Sequence, residues 1–163
     1  PEIRKATPYV LLLASLGAVT SSFVGGINGP LDPEQPQISK VNWKKFDIET
    51  LTQLVDSGHL VLVDVTADWC ITCQVNKRLV LEDGRILEML NGPDVIPLRA
   101  DWTRPDPEIA EYLASFGRYG IPFNAIYGPR AKGGVALPEL LSERNVLDGF
   151  KQVVPESMMA RFE

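Results

Sequence analysis

The chain has 163 residues, 45% of them hydrophobic, which suffices for one domain of ordinary size with its own core. Sixteen basic residues against 21 acidic ones give a net charge of −5, so nothing marks it for nucleic-acid binding. Two cysteines in the whole chain exclude a scaffold stapled by disulfides and leave the redox compartment open.

The first segment differs from the rest. After Arg4 and Lys5 no charged residue occurs until Asp32, and the stretch from Tyr9 to Val24 is mostly apolar. A helix from Ala6 to Gly26 would reach about 30 Å, the thickness of a bilayer's hydrocarbon core. Ala14, Gly17, Ala18 and Ser21 form a small-residue strip suited to close helix packing in a membrane. A secretory signal peptide, or an amphipathic helix lying on the domain or a neighbour, are the competing readings. We take the chain as a piece of a longer protein. Residues 1–27 are then a last transmembrane helix and residues 28–38 a linker rich in glycine and proline. Residues 39–154 are the domain proper and 155–163 a tail.

Within the domain, Val41 to Phe46 alternates as a short half-buried strand. Asp47 is placed to cap a helix from Ile48 to Ser57, with Ile48, Leu51, Leu54 and Val55 inward and Gly58 ending it. Leu60 to Thr66 is a continuous apolar strand of the kind buried on both faces of a central sheet. A helix follows from Cys70 to Leu81, then a shorter one from Asp83 to Leu90, stopped by Asn91-Gly92-Pro93. Val95 to Ala100 is the next strand, in which Pro97 argues for an edge or an irregularity. Asp106-Pro107 starts a helix with Ile109, Ala110, Leu113 and Phe116 inward, ending at Gly117. Pro122 to Tyr127 and Gly134 to Leu137 form a hairpin across Gly128-Pro129. Ser142 caps a last helix bearing Val146, Leu147, Phe150 and Val153. This order predicts an α/β fold, a mixed sheet flanked by helices.

Trp69-Cys70-Ile71-Thr72-Cys73 holds both cysteines at the end of the apolar strand. Thiols at i and i+3 share one face of a helix's first turn, within disulfide reach. If Cys70 opens the helix, the free amide N–H groups and the dipole favour its thiolate. Strand, tight turn and Cys-x-x-Cys opening a helix is a redox arrangement. A structural disulfide is the weaker reading, because so short a loop constrains the unfolded chain little. A closed zinc site needs four ligands, and only His59 remains to join the pair. His59, beside Gly58, reads as structural or exposed. Asp64 sits within Leu60 to Val65, where an ionised carboxylate is expensive to bury, unless it points outward at an edge. Asp68 is a candidate cap for the helix, and Trp69 either a partner contact or a core tryptophan.

The run Val63-Asp64-Val65-Thr66-Ala67-Asp68-Trp69-Cys70-Ile71-Thr72-Cys73 resembles the active-site strand and helix start of the thioredoxin superfamily. Ala67-Asp68-Trp69 before the cysteines is similar to the C-terminal periplasmic domain of the DsbD family of transmembrane thiol:disulfide interchange proteins. Gln74-Val75-Asn76-Lys77 and Leu137-Pro138-Glu139-Leu140-Leu141 resemble the ScsB-like, copper-tolerance branch of that family. The resemblance implies a thioredoxin-like fold after a membrane helix, and a bacterial inner-membrane protein with this domain facing the periplasm. It implies Cys70 as nucleophile, Cys73 as resolving thiol and Asp64 as the buried acid that takes the Cys73 proton. It also implies a cis peptide at Ile121-Pro122, whose backbone receives an extended partner peptide. The implied electron donor is the membrane domain of the same protein. The acceptors are periplasmic thioredoxin-like or disulfide isomerase proteins. No metal or cofactor is implied beyond the Cys70–Cys73 disulfide itself. Several relatives carry an acid seven positions after the first cysteine, where this chain has Lys77. Two alternatives stay open: a Cu(I)-binding module using both thiolates, and a soluble thioredoxin with a processed leader.

Overall fold

The computed structural model describes residues 40–162. The apolar segment 1–27 and the linker 28–38 lie outside the described residues. Among the described residues no helix is long and apolar enough to cross a membrane. The elements run β1 (Lys44–Lys45), α1 (Ile48–Asp56), β2 (Leu60–Thr66), α2 (Ile71–Asn76), a π-helical turn (Lys77–Leu81) and α3 (Gly84–Asn91). They continue with β3 (Val95–Asp101), α4 (Pro107–Ser115), β4 (Phe123–Gly128), β5 (Ala131–Ala136), α5 (Glu143–Val153) and a 3-10 helix (Glu156–Phe162).

The sheet order is β1-β3-β2-β4-β5. β2 lies at its centre, parallel to β3 and antiparallel to β4, and β4 and β5 form the expected hairpin. The helix starts follow their caps. The Asp47 carboxylate accepts from the Thr50 N–H at 2.8 Å, and Asp106 does the same for the first turn of α4. Ser142 and Asn145 form a reciprocal capping box on α5. Gly58 and Gly117 end their helices at positive φ.

Alternation along β2 feeds two cores. Val61, Val63 and Val65 pack toward α1 and α4 with a cluster of aromatic rings. Leu60 and Leu62 pack toward the π turn, α3 and α5. A strand apolar on both faces is what a central position requires. Each such fully covered side chain contributes about 1.5–3 kcal/mol.

Several details differ from the sequence expectation: Ile48, expected inward, is exposed at the start of α1, and the helix expected over Cys70–Leu81 turns π-helical from Lys77. The first strand shrinks to Lys44–Lys45, both exposed, because Val41 and Phe46 turn in at either end while Trp43 lies over the Arg99 guanidinium. Pro97 belongs to an interior strand. On its outer side, however, the β1 ladder begins only at Leu98, so Pro97 still occupies a local edge. On α4, Tyr112 is buried and Ala110 is exposed, since the inward stripe runs Ile109, Tyr112, Leu113. The stretch set apart as a tail forms the 3-10 helix, and Phe162 stacks on Phe150 at 5.2 Å inside the core.

Candidate functional site

Where β2 ends, the chain is fastened to the loop after β3. The Trp102 N–H donates to the Thr66 carbonyl at 2.7 Å and the Asp68 N–H to Thr103 Oγ1 at 3.0 Å. The Trp69 indole N–H reaches the Thr103 carbonyl at 3.3 Å. This fixed turn delivers Cys70 to the N-cap of α2, in extended backbone, where its Sγ accepts the Cys73 N–H at 3.2 Å. Asp68, expected as a cap, is exposed; the cysteine itself holds that place. Cys70 and Cys73 are disulfide-bonded with Cα atoms 5.2 Å apart. A sulfur at a helix N-cap lies among free amide N–H groups that favour its anion over its thiol.

The pair packs with Ala67 and Ile121, and the Ile121–Pro122 peptide is cis. Cys70 and Cys73 are 6% and 4% exposed, so both sulfurs lie in the floor of the site. Apolar side chains near the pair are open: Trp69 is 61% exposed, Ile71 81% and Tyr119 84%; Leu140, in the loop bonded to Asn76, is exposed as well. A cavity of about 490 Å³ lies beside the dithiol, lined by Trp69, Trp102, Thr103, Pro105, Tyr119 and Ile121. Trp69 and Tyr119, both largely exposed, share the wall of this cavity.

A polar row crosses the three central strands. Asp64 sits opposite Arg99 in the β2–β3 ladder and opposite Asn124 in the β2–β4 ladder. Arg99 Nε and Nη2 donate to Asp64 Oδ2 at 3.2 and 3.1 Å, and Asn124 Nδ2 donates to Oδ1 at 3.0 Å. Trp43 covers the guanidinium at 4.1 Å from ring centroid to Cζ. Strand alternation puts Asp64 on the same face as Leu62, which packs against the π turn following the active-site helix. Burial pushes the Asp64 carboxyl above the usual carboxylate range, while Arg99, Asn124 and Lys77 pull it back in part.

A second polar link ties the active-site helix to the loop before α5. Buried Asn76 donates to the Glu139 carbonyl at 2.7 Å and accepts the Leu141 N–H at 3.0 Å. Glu139 in turn pairs with Arg118 at 3.0 Å, in the loop leading to Pro122. Lys77 pairs with Glu82 at 3.8 Å across the π turn, whose i→i+5 hydrogen bond brings the two together.

The structure thus gathers Cys70, Cys73, Trp69, Ile121 and Pro122 at one end of the sheet, with Asp64 on the central strand. His59 is exposed at the end of α1, its ring near the Leu54 carbonyl, at the opposite end of β2 from the cysteines. The sequence alone does not single out Arg99, Asn124 or Thr103, and it marks Asn76 only as part of a family motif, without a structural role. A signal existed for two of them: Arg99 and Asn124, like Asp64, interrupt apolar runs within their strands.

A family model described as thioredoxin-like matches residues 42–129, more than half of the chain. The thiol:disulfide interchange protein DsbD of Ralstonia nicotianae is 28% identical over 137 residues, covering 75% of this chain and 22% of that protein. DsbD 1 of Pseudomonas aeruginosa is 27% identical over 137 residues, with 74% and 23% covered. The chain therefore spans between a fifth and a quarter of the length of these curated relatives. Among solved structures, the oxidised C-terminal domain of Neisseria meningitidis DsbD aligns with a TM-score of 0.50 at 18% identity, covering 65% of this chain and 91% of that one. A thioredoxin mutant from Halobacterium salinarum aligns at 0.50 and 18%, covering 74% and 99%. At these identities the structural likeness speaks for the fold alone.

Proposed function

Because the chain belongs to the thioredoxin-like family, we propose that it is a thiol-disulfide oxidoreductase working through reversible exchange at Cys70 and Cys73. One observation carries this reading: Cys70 caps the active-site helix with its sulfur, bonded to Cys73 and packed against Ile121 of a cis Ile121–Pro122 step.

In the reduced protein, the Cys70 thiolate attacks one sulfur of a partner disulfide. A mixed disulfide forms and the partner's other sulfur leaves as thiolate. Cys73 then loses its proton to Asp64 and attacks the Cys70 sulfur. The Cys70–Cys73 bond forms, the bond to the partner breaks, and the second partner sulfur leaves as thiolate and takes a proton from water. Two electrons pass to the partner. The backbone at Pro122 receives the partner as an extended segment, and the exposed Trp69, Ile71 and Tyr119 cover its apolar side chains. Ile71 and Thr72 place no charge or imidazole between the cysteines, which favours a moderate potential and a net reductant.

The relatives extend the proposal. Electrons come from a membrane-embedded cysteine pair of the same protein, and the acceptors are periplasmic thioredoxin-like or isomerase proteins. The domain is held at the bacterial inner membrane by the apolar segment 1–27.

Trapping tests the core of this. A Cys73→Ala variant is expected to accumulate mixed disulfides with a model disulfide protein through Cys70, released by dithiothreitol, and Cys70→Ala none. Exchange that persists in Cys70→Ala, or no adduct in Cys73→Ala, overturns it.

A further inference from the structure

The geometry points to Asn124 as a positioning residue for the resolving step: its amide, on the strand opposite Arg99, fixes the second oxygen of Asp64 and sets the pH at which that carboxylate takes the Cys73 proton. The inference rests on the exchange reaction proposed above and adds a residue to it.

Asn124 is 1% exposed in a strand otherwise built of Phe123, Ala125, Ile126, Tyr127 and Gly128. A buried amide is unfavourable unless it is hydrogen-bonded, and a leucine would fill similar volume without that cost. What the amide supplies is a donor aimed at Asp64 Oδ1, 3.0 Å away. Oδ2 is already engaged by both Nε and Nη2 of Arg99. The carboxylate is thus gripped from β3 and β4 within the plane of the sheet. Its two oxygens are held from different strands, on the sheet face covered by the π turn that follows the helix carrying Cys73. Resolution transfers one proton, from the Cys73 sulfur to this carboxylate, with no change in electron count until the sulfur attacks.

The charged groups acting on Asp64 are Arg99 from β3 and Lys77 from the π turn. Arg99 is shared with the Trp43 ring and Lys77 with Glu82, so Asn124 is a neutral donor whose loss no change of salt replaces. A donor to a carboxylate favours the ionised form, so its removal raises the proton affinity of Asp64.

The test follows the Asp64 carboxyl directly, by ¹³C NMR titration of the full chain, in wild type, Asn124→Leu and Asn124→Ser. Asn124→Leu is expected to move the Asp64 midpoint upward by about tenfold in proton affinity, the worth of one hydrogen bond to a charged acceptor. Asn124→Ser, which keeps a donor, falls between. The pH profile of Cys73 attack on a preformed mixed disulfide shifts the same way. An unmoved Asp64 midpoint in both variants, with the fold intact by amide spectra, overturns the assignment. The carboxyl titration needs no exchange reaction, so wild-type protein that exchanges no disulfide would fell the proposed function while this readout still decides the role of Asn124.

Discussion

The two faces of the sheet solve the same packing problem in different ways. On the face covered by α1 and α4, Phe46, Tyr112, Phe116, Phe123 and Tyr127 pack in tilted and edge-to-face pairs with centroids 4.8 to 6.4 Å apart. The two buried hydroxyls there satisfy each other at 2.8 Å. Burial pushes the Tyr127 phenol up to about 12 and Tyr112 higher still, so this face stays neutral through the physiological range. The opposite face, under the active-site helix, carries the Arg99–Asp64–Asn124 row. The first face is built for stability. The second accepts a buried charge, which apolar side chains of equal volume would improve upon for stability alone. The resolving step proposed above uses the face that gives up some stability.

The contrast can be broken from either side. Phe123→Ala on the aromatic face is expected to cost about 3–5 kcal/mol, because neighbouring rings cannot collapse into the space. Chemical denaturation should show that loss unchanged from pH 5 to 8, since the buried hydroxyls beside Phe123 stay neutral there; a loss that varied with pH would contradict the division. Arg99→Met on the other face leaves Asp64 without its cation and is expected to cost about 3 kcal/mol near neutrality. Here the loss must depend on pH. The Asp64 pKa already lies above its unfolded value, so folding favours the protonated form, and stability falls as pH rises through the folded value. Removing Arg99 raises the folded value further, so the deficit shrinks as the solution is acidified. A pH-independent deficit would mean that Arg99 acts only through its packing on Trp43.

Smaller effects sharpen the picture. Asn76→Ala strands the Glu139 carbonyl and the Leu141 N–H, at a cost of about 1–3 kcal/mol. It should also weaken partner binding with little change in the intrinsic reactivity of Cys70, because it frees the loop that presents Leu140. Binding measurements against alkylation rates separate the two. Tyr127→Phe removes one hydroxyl of the buried pair and should cost about 1 kcal/mol with exchange activity unaltered.

Most element boundaries were readable because caps and breakers act locally. Asp47, Asp106 and Ser142 start helices, and Gly58 and Gly117 end them, within a few residues of what they control. The dithiol was readable for the same reason, since two cysteines three apart decide their own geometry. The polar row was only one-third legible. Asp64 announced itself by its cost in an apolar strand, but its partners lie 35 and 60 residues away, where only strand pairing brings them together. Asn76 and the Glu139–Leu141 stretch each stand in a family motif, but the bonds joining them span 63 and 65 residues and could not be read from either one. The extent of β1 was overread because alternation across Val41 to Phe46 cannot say which positions find a partner strand. The inward face of α4 was misjudged by one position, since Ala110 and Tyr112 both fit a helical stripe and only packing against Phe46 and Phe123 selects the tyrosine.

The account stands on the Cys70–Cys73 pair being a reversible two-electron couple. Equilibrating the protein in glutathione buffers of graded potential and counting alkylated thiols by mass tests this directly. Both thiols should appear together, the reduced-to-oxidised ratio changing tenfold for each step of about 30 mV. A pair that stays fully oxidised or fully reduced across the whole range, or thiols that appear one at a time, would contradict it.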